Sequence, residues 1–229
     1  MRPEQDICTM PDINKHVKAV VFDLDGTLLD TLDDLTQSVN HALSAKGMPV
    51  RKREEVRRFL GNGVRNLIRQ AVPEGTAAED YESAFQAFRA HYVDHCLDRT
   101  APYPEIPQLL SELKRRDYAM AIVSNKLQPA VTELAQRFFH KEISIAIGER
   151  PGIRRKPEPD SLLLALKELE CGTDEAIYVG DSEVDLLTAR HAQVKCISAL
   201  WGFRDEAFLY SMGADTLVYK PLEILELLP

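Results

Sequence analysis

The sequence predicts an α/β protein built on a doubly wound parallel sheet, with an α-helical domain inserted after the first strand. Six short apolar runs, at residues 18–24, 119–124, 143–147, 176–179, 195–200 and 216–219, have the length of strands. Each leads through turn residues into an amphipathic stretch. Runs such as AVVF and AMAIV are continuously apolar, as strands covered by helices on both faces must be. Between the first run and the second the rhythm stops, and residues 33–100 read as helix throughout.

Taken in order, the first run carries the chain to FDLDGT and then into the insertion. DDLTQSVNHALSAKG opens on acidic residues, which favour a helix N-terminus, and stops at Gly47. EEVRRFLG stops at Gly61, VRNLIRQAV stops before Pro73, and AEDYESAFQAFRAHYVDHCL is long and amphipathic. Four such helices make a small bundle. Tyr103, Pro104 and Pro107 mark the return to the sheet, because proline suits a linker and the first turn of a helix. The predicted division is residues 1–32 with 101–229 for the α/β core and 33–100 for the inserted domain.

At 229 residues the chain can bury a substantial core, and 45% hydrophobic with 28% charged residues argues against long disorder. A net charge of -8 offers no footprint for a phosphate backbone, so nucleic acid is not an expected partner. Cys8, Cys96, Cys171 and Cys196 form no CxxC pair and follow no apolar leader, which predicts free thiols in a reducing compartment. No stretch approaches the ~20 apolar residues of a membrane span. The expected location is the cytoplasm.

The chemistry concentrates where the apolar runs end, which is where open α/β sheets bind ligands. In an extended chain residues i and i+2 share a face, so Asp23 and Asp25 project together past the first strand. Paired carboxylates repel unless a cation lies between them, and a hard, oxygen-ligated ion such as Mg²⁺ answers that need. A DxDG segment is often only a solvated turn. Here a strongly apolar run delivers both acids to the sheet edge. In AIVSNK, Ser124 and Asn125 precede a helix opened by Gln128 and Pro129, either as its cap or, with the helix-entry amides, as a phosphate site. Lys156 of GIRRKPEPD lies in a loop, where lysine is ordinarily solvated; Arg154 and Arg155 read the same way or add to a positive field. YVGDSEVD ends another run with Asp181, and Asp185 follows at i+4 on the same helix face.

FDLDGT, AIVSNK, KPEP and GDSEVD, in this order over residues 20–185, resemble the four motifs of the haloacid dehalogenase superfamily. The resemblance implies a Rossmann-like core with Asp23 as the nucleophile that attacks phosphorus. It makes Asp25 the general acid and base, and lends its backbone carbonyl to the metal. Ser124 takes the place of the motif-two hydroxyl, Thr27 and Asn125 lie against substrate, and Lys156 neutralises the nucleophile and phosphoryl oxygens. Asp23, Asp25 and Asp181 hold Mg²⁺, while Asp185 orients a ligand water or Lys156. The implied activity is that of a Mg²⁺-dependent phosphatase acting on a small-molecule phosphate ester through an aspartyl-phosphate.

The insertion resembles a C1-type cap that closes over the site and reads the leaving group, with its hinge at Asp30 and Thr31. RRFLGNGVRNLI, and WGF at 201–203, resemble the phosphoglycolate-phosphatase-like branch. Gly61, Asn62 and Gly63 either let backbone amides approach substrate, with Arg65 on a carboxylate, or form a plain helix–helix turn with Arg65 in solvent. Gln193 departs from the glycine common in that branch. His91 and His95 have i,i+4 spacing without a third ligand nearby in sequence, and read as a helix face rather than a metal pair. A phosphomutase of the β-phosphoglucomutase branch shares the same motifs. Phosphonate cleavage lacks an identifiable cap lysine, and an inactive regulatory binding module is disfavoured by the intact chemical groups. Monomer and homodimer are both compatible with the sequence.

Overall fold

A computed structural model describes residues 17–229; Cys8 and the polar start of the chain lie outside the described residues. The first strand, β1 (Ala19–Phe22), leads to a short β2 (Leu29–Asp30) and four helices, α1 (Leu32–Ser44), α2 (Arg53–Phe59), α3 (Gly63–Ala71) and α4 (Ala78–His95). The chain returns through β3 (Ala101–Pro102) and α5 (Ile106–Arg115) to β4 (Ala119–Leu127), α6 (Gln128–Phe139) and β5 (Ile145–Glu149). It ends with α7 (Asp160–Glu168), β6 (Ala176–Gly180), α8 (Glu183–Ala192), β7 (Lys195–Ala199), α9 (Glu206–Ser211) and β8 (Leu217–Val218).

Six strands form one parallel sheet in the order β5, β4, β1, β6, β7, β8. Alternate residues of β1 serve opposite faces. Val20 and Phe22 pack with Leu109 of α5 and Leu134 of α6, whereas Ala19 and Val21 pack with Leu162 of α7 and Ala189 of α8. Burial on both faces is why the strand is apolar without a break. The strand order reverses at β1, which has β4 on one side and β6 on the other, so a crevice opens beyond its carboxyl end.

Helices α1–α4 enclose a core of their own, built from Val39, Leu43, Val56, Ile68 and Phe88, and Phe203 from the segment after β7 joins it. Two chain crossings connect this bundle to the sheet. They pair antiparallel as β2 and β3, each two residues long and too short to register as a run. Asp34 of α1 is buried and accepts from the backbone N–H of Arg99 and Thr100 and from the Thr100 hydroxyl, at 2.8 to 3.1 Å. Both crossings are thus tied to α1.

Two strand bounds differ from expectation. Strand β4 runs past Ser124 to Leu127, because Leu127 still pairs with Glu149 of β5. Strand β5 is Ile145–Glu149, two residues later than the apolar run at 143–147. Helix α8 ends on Gln193 at φ 59°, a left-handed conformation that glycine adopts without steric cost, which fits the glycine expected there from the resemblance. Among the described residues no helix is long and apolar enough to cross a membrane.

Candidate active site

The tips of the central strands build the site. Asp23 directly follows β1, and its N–H donates to Val179 O of β6 at 2.9 Å, so sheet pairing fixes the backbone that carries its carboxylate. Lys156 Nζ lies 2.6 Å from Asp23 Oδ1, 2.6 Å from Asp185 Oδ1 and 3.0 Å from the Tyr178 hydroxyl. Both oxygens of Asp185 are engaged, since Oδ2 also accepts from the Ser182 N–H and hydroxyl at 3.1 and 2.6 Å. Asp185 therefore positions Lys156. Asp181 Oδ1 accepts from Thr27 Oγ1 at 3.2 Å and Oδ2 from the Phe203 N–H at 2.7 Å.

Shape confines Asp181 as closely as hydrogen bonding does. A Cβ on Gly202 would stand 2.3 Å from the Asp181 Cβ, and one on Gly26, whose φ is +94°, would stand 2.5 Å from its Oδ2. Only glycine fits at either place.

Asp23, Asp181 and Asp185 are all buried, with carboxylate oxygens within 4.8 Å of one another. Lys156 offsets one of their charges and leaves two. Burial, with Asp185 beside it, pushes Asp181 up to about 7. Burial also raises Asp23 well above the ordinary carboxylate range; Lys156 pulls it down, and Asp185 and Asp181 push it further up. Asp185 goes the other way, because Lys156 and its other donors outweigh its burial. Lys156 is raised: burial disfavours its charge, but Asp185 and Asp23 prevail. An all-oxygen donor set with two excess negative charges fits a hard divalent cation, and the triad can hold one.

Sequence reasoning missed a second buried ion pair. Lys126 Nζ lies 2.6 Å from Asp25 Oδ1 and donates to the Tyr92 hydroxyl of α4 at 2.8 Å. Burial would strip the charge from Lys126, yet Asp25 and Tyr92 raise it above the ordinary lysine value. The signal was a lysine two residues after Ser124 on a strand pointing into the crevice.

Asp23, Asp25, Ser124, Asn125, Lys156 and Asp181 converge on one cavity of about 70 Å³, which Gly61 and Gly63 also line. The Ser124 hydroxyl accepts from the Lys126 N–H at 3.2 Å. The Asn125 side chain cross-links the site, donating to Gly61 O at 3.2 Å and Lys156 O at 3.0 Å. Other expected substrate contacts lie elsewhere. Thr27 is fully buried against Asp181, because its hydroxyl serves that carboxylate. Asn62 precedes α3 outside the lining, and Arg65 turns away to pair with Glu82 at 2.9 Å, stacked 4.2 Å over Phe85. Arg154 pairs with Glu158 and Asp160 on the exterior, while Arg155 lies 3.8 Å from Glu149. His91 stacks between His41 and His95, with Ser38 Oγ 3.0 Å from its Nδ1.

The phosphoglycolate phosphatase 1 of Pseudomonas aeruginosa is 35% identical over 193 residues, covering 81% of this chain and 70% of that one. An N-acetylmuramic acid 6-phosphate phosphatase of the same organism is 30% identical over 215 residues, covering 93% of this chain and 95% of that one. A solved protein of Lactobacillus delbrueckii subsp. bulgaricus, provisionally named a phosphoglycolate phosphatase, superposes with a TM-score of 0.88 at 33% identity, over 92% of this chain and 98% of that one. The model of haloacid dehalogenase-like hydrolases matches residues 20–199, a span that holds all four strand-tip motifs. With its sheet order, its buried acidic triad and this match in agreement, the chain belongs to the haloacid dehalogenase-like hydrolase family.

Proposed function

We propose that this enzyme is a Mg²⁺-dependent phosphatase that hydrolyses a small-molecule phosphate monoester through an aspartyl-phosphate on Asp23. The observation that carries the reading is the state of Asp23. One oxygen is held by Lys156, and among the described residues the other has no hydrogen-bond partner and borders the cavity beside Asp181. A carboxylate so placed attacks phosphorus in line while Lys156 offsets charge on the transferring group. Asp25, fixed through Oδ1 by Lys126, gives a proton to the departing ester oxygen from its other oxygen. It then takes a proton from the water that cleaves the acyl phosphate, which releases inorganic phosphate and restores Asp23. Asp23, Asp181 and the backbone carbonyl of Asp25 would hold Mg²⁺, which supplies charge neutralisation on the phosphoryl oxygens.

In this reading residues 33–100 are the cap, residues 1–32 and 101–229 are the core, and the cytoplasm is the site of action. The separate apolar core of α1–α4 and the free thiols of Cys96, Cys171 and Cys196 support it. Relatives named for two different esters leave the leaving group to the cap.

The test is phosphate release from an ester panel that includes 2-phosphoglycolate. Turnover is expected to disappear in EDTA and return with Mg²⁺, and Asp23→Asn is expected to lower kcat by at least about 10³-fold. Wild-type rates from Asp23→Asn would refute the nucleophile. Isomerised sugar phosphate without net phosphate release would identify a mutase instead.

A further inference from the structure

The cavity at Asp23 is small. At about 70 Å³ it has room for about five water-sized groups, enough for a phosphoryl group and its ester oxygen. A leaving group must extend out of it. Beside it lies a chamber of about 430 Å³, set between cap helix α4 and the start of core helix α6. Val64, Tyr92, Asn125 and Lys126 line both spaces, so the wall of one is the threshold of the other.

Helix α4 serves as a ruler for the chamber. Tyr92 stands at the catalytic end, bonded to the lysine that holds Asp25. Phe88 and Phe85, also in the lining, come four and seven residues earlier, so they lie roughly 6 and 10 Å farther along the axis at ~1.5 Å rise per residue. A two-carbon leaving group ends near Tyr92. A six-membered ring reaches the stretch of chamber wall backed by Phe88 and Phe85, which are themselves buried in the α1–α4 core.

The charged groups of the chamber are Arg65, Arg89, Arg155 and Lys126 against Glu133 and Glu149. Glu149 faces Arg155, Lys126 is bound to Asp25, and Arg65 is bound to Glu82. Arg89 is exposed and, among the described residues, makes no ion pair within 4 Å, although its charge helps to lower Glu82; its guanidinium lies 5.8 Å from the Phe85 ring centre. A guanidinium beside an aromatic face suits an anion carried on a ring.

We infer that the chamber is the leaving-group subsite, and that the substrate is a phosphate monoester of a ring-bearing molecule with a second anionic group, larger than 2-phosphoglycolate. The inference rests on the phosphatase reading above. The second anion is either a carboxylate, as in a sugar acid, or another phosphate, as in a nucleoside bisphosphate.

Steady-state hydrolysis should be measured with Mg²⁺ on p-nitrophenyl phosphate, 2-phosphoglycolate, a neutral hexose monophosphate, N-acetylmuramic acid 6-phosphate and a nucleoside bisphosphate. One of the two anionic ring esters is expected to exceed 2-phosphoglycolate in kcat/KM by at least about tenfold, and whichever does so identifies the second anion. Arg89→Ala should lower kcat/KM for that ester about tenfold more than for p-nitrophenyl phosphate, mainly through KM. Ala130→Trp, which adds bulk on the α6 wall, should discriminate in the same direction. If 2-phosphoglycolate matches or beats both anionic ring esters, or if both variants slow all esters equally, the chamber is not the subsite. Failure to hydrolyse any ester, p-nitrophenyl phosphate included, overturns the phosphatase reading and the subsite with it.

Discussion

Asp181 is confined by Gly26 and Gly202 as well as by its hydrogen bonds, and that makes two glycines part of the proposed metal site without giving them a ligand atom. Gly202→Ala would drive a methyl group into the Asp181 Cβ and the Gly26 carbonyl, at 2.3 and 2.4 Å, both parts of the chain that cannot swing aside. The expected result is at least about a tenfold rise in the Mg²⁺ concentration for half-maximal activity, read from a metal titration of the variant. Protons compete for the same carboxylate. With Asp181 pushed up to about 7 by burial, a cation binds poorly below that pH and well above it. The half-saturating Mg²⁺ concentration should therefore fall as pH rises through about 7, and a flat profile would count against Asp181 as a ligand. Asp23, Asp25 and Asp181 were legible from spacing and strand-end position, whereas Lys156, in a loop, was legible only through the resemblance of KPEP to a family motif. Thr27, Arg65 and Lys126 were not, because their roles depend on side chains 154, 17 and 101 residues away in sequence.

Elements were legible to the extent that their pattern was long. The four inserted helices and five of the six sheet strands are four or more residues long, whereas β2, β3 and β8 have two each; β8 lies within an apolar run, but β2 and β3 exist only through their mutual pairing. Helix α4 shows a further property on the partly exposed face that carries His91 and His95. Its His91 stacks on His95 at 4.2 Å and on His41 of α1 at 4.1 Å, which joins the two longest of the four inserted helices. Burial first, then His41 and His95, lowers His91 below its ordinary 6.5, against the weaker pull of Asp98 and Asp94. The unfolded chain thus takes up this proton before the folded one, and stability falls as pH drops through about 6.5. At constant saturating Mg²⁺, wild-type protein should lose melting temperature between about pH 8 and pH 5.5 by more than His91→Gln does. Equal losses in the two proteins would remove the histidine stack as the cause.

At the scale of the molecule, the question is what seats the cap over Asp23. The crossings at β2 and β3, with Asp34 clamping residues 99 and 100, leave a joint at one edge only. The opposite edge is closed by the segment after β7. Arg204 is gripped by both oxygens of Glu183 at 2.7 and 2.9 Å, and offers its guanidinium to Leu60 O at 2.8 Å, just past the end of α2. A cation there meets the negative end of the helix dipole and satisfies a terminal carbonyl. Arg57 of α2 returns the contact by donating to Gly202 O at 2.7 Å, and Phe203 inserts into the cap core between them. Gly202 and Phe203 are also the residues pressed against Asp181, so the seat of the cap and the proposed metal site share one short segment. Removing the charged tie while leaving that segment intact separates the two functions. Arg204→Met should cost about 1–3 kcal/mol of cap docking through lost charge-assisted hydrogen bonds. The reading is KM raised about tenfold, Mg²⁺ half-saturation shifted far less, and faster proteolysis in the 45–52 loop. Should KM and proteolysis both stay at wild-type values, Phe203 and the crossings alone hold the cap, and Arg204 serves only to fix Glu183.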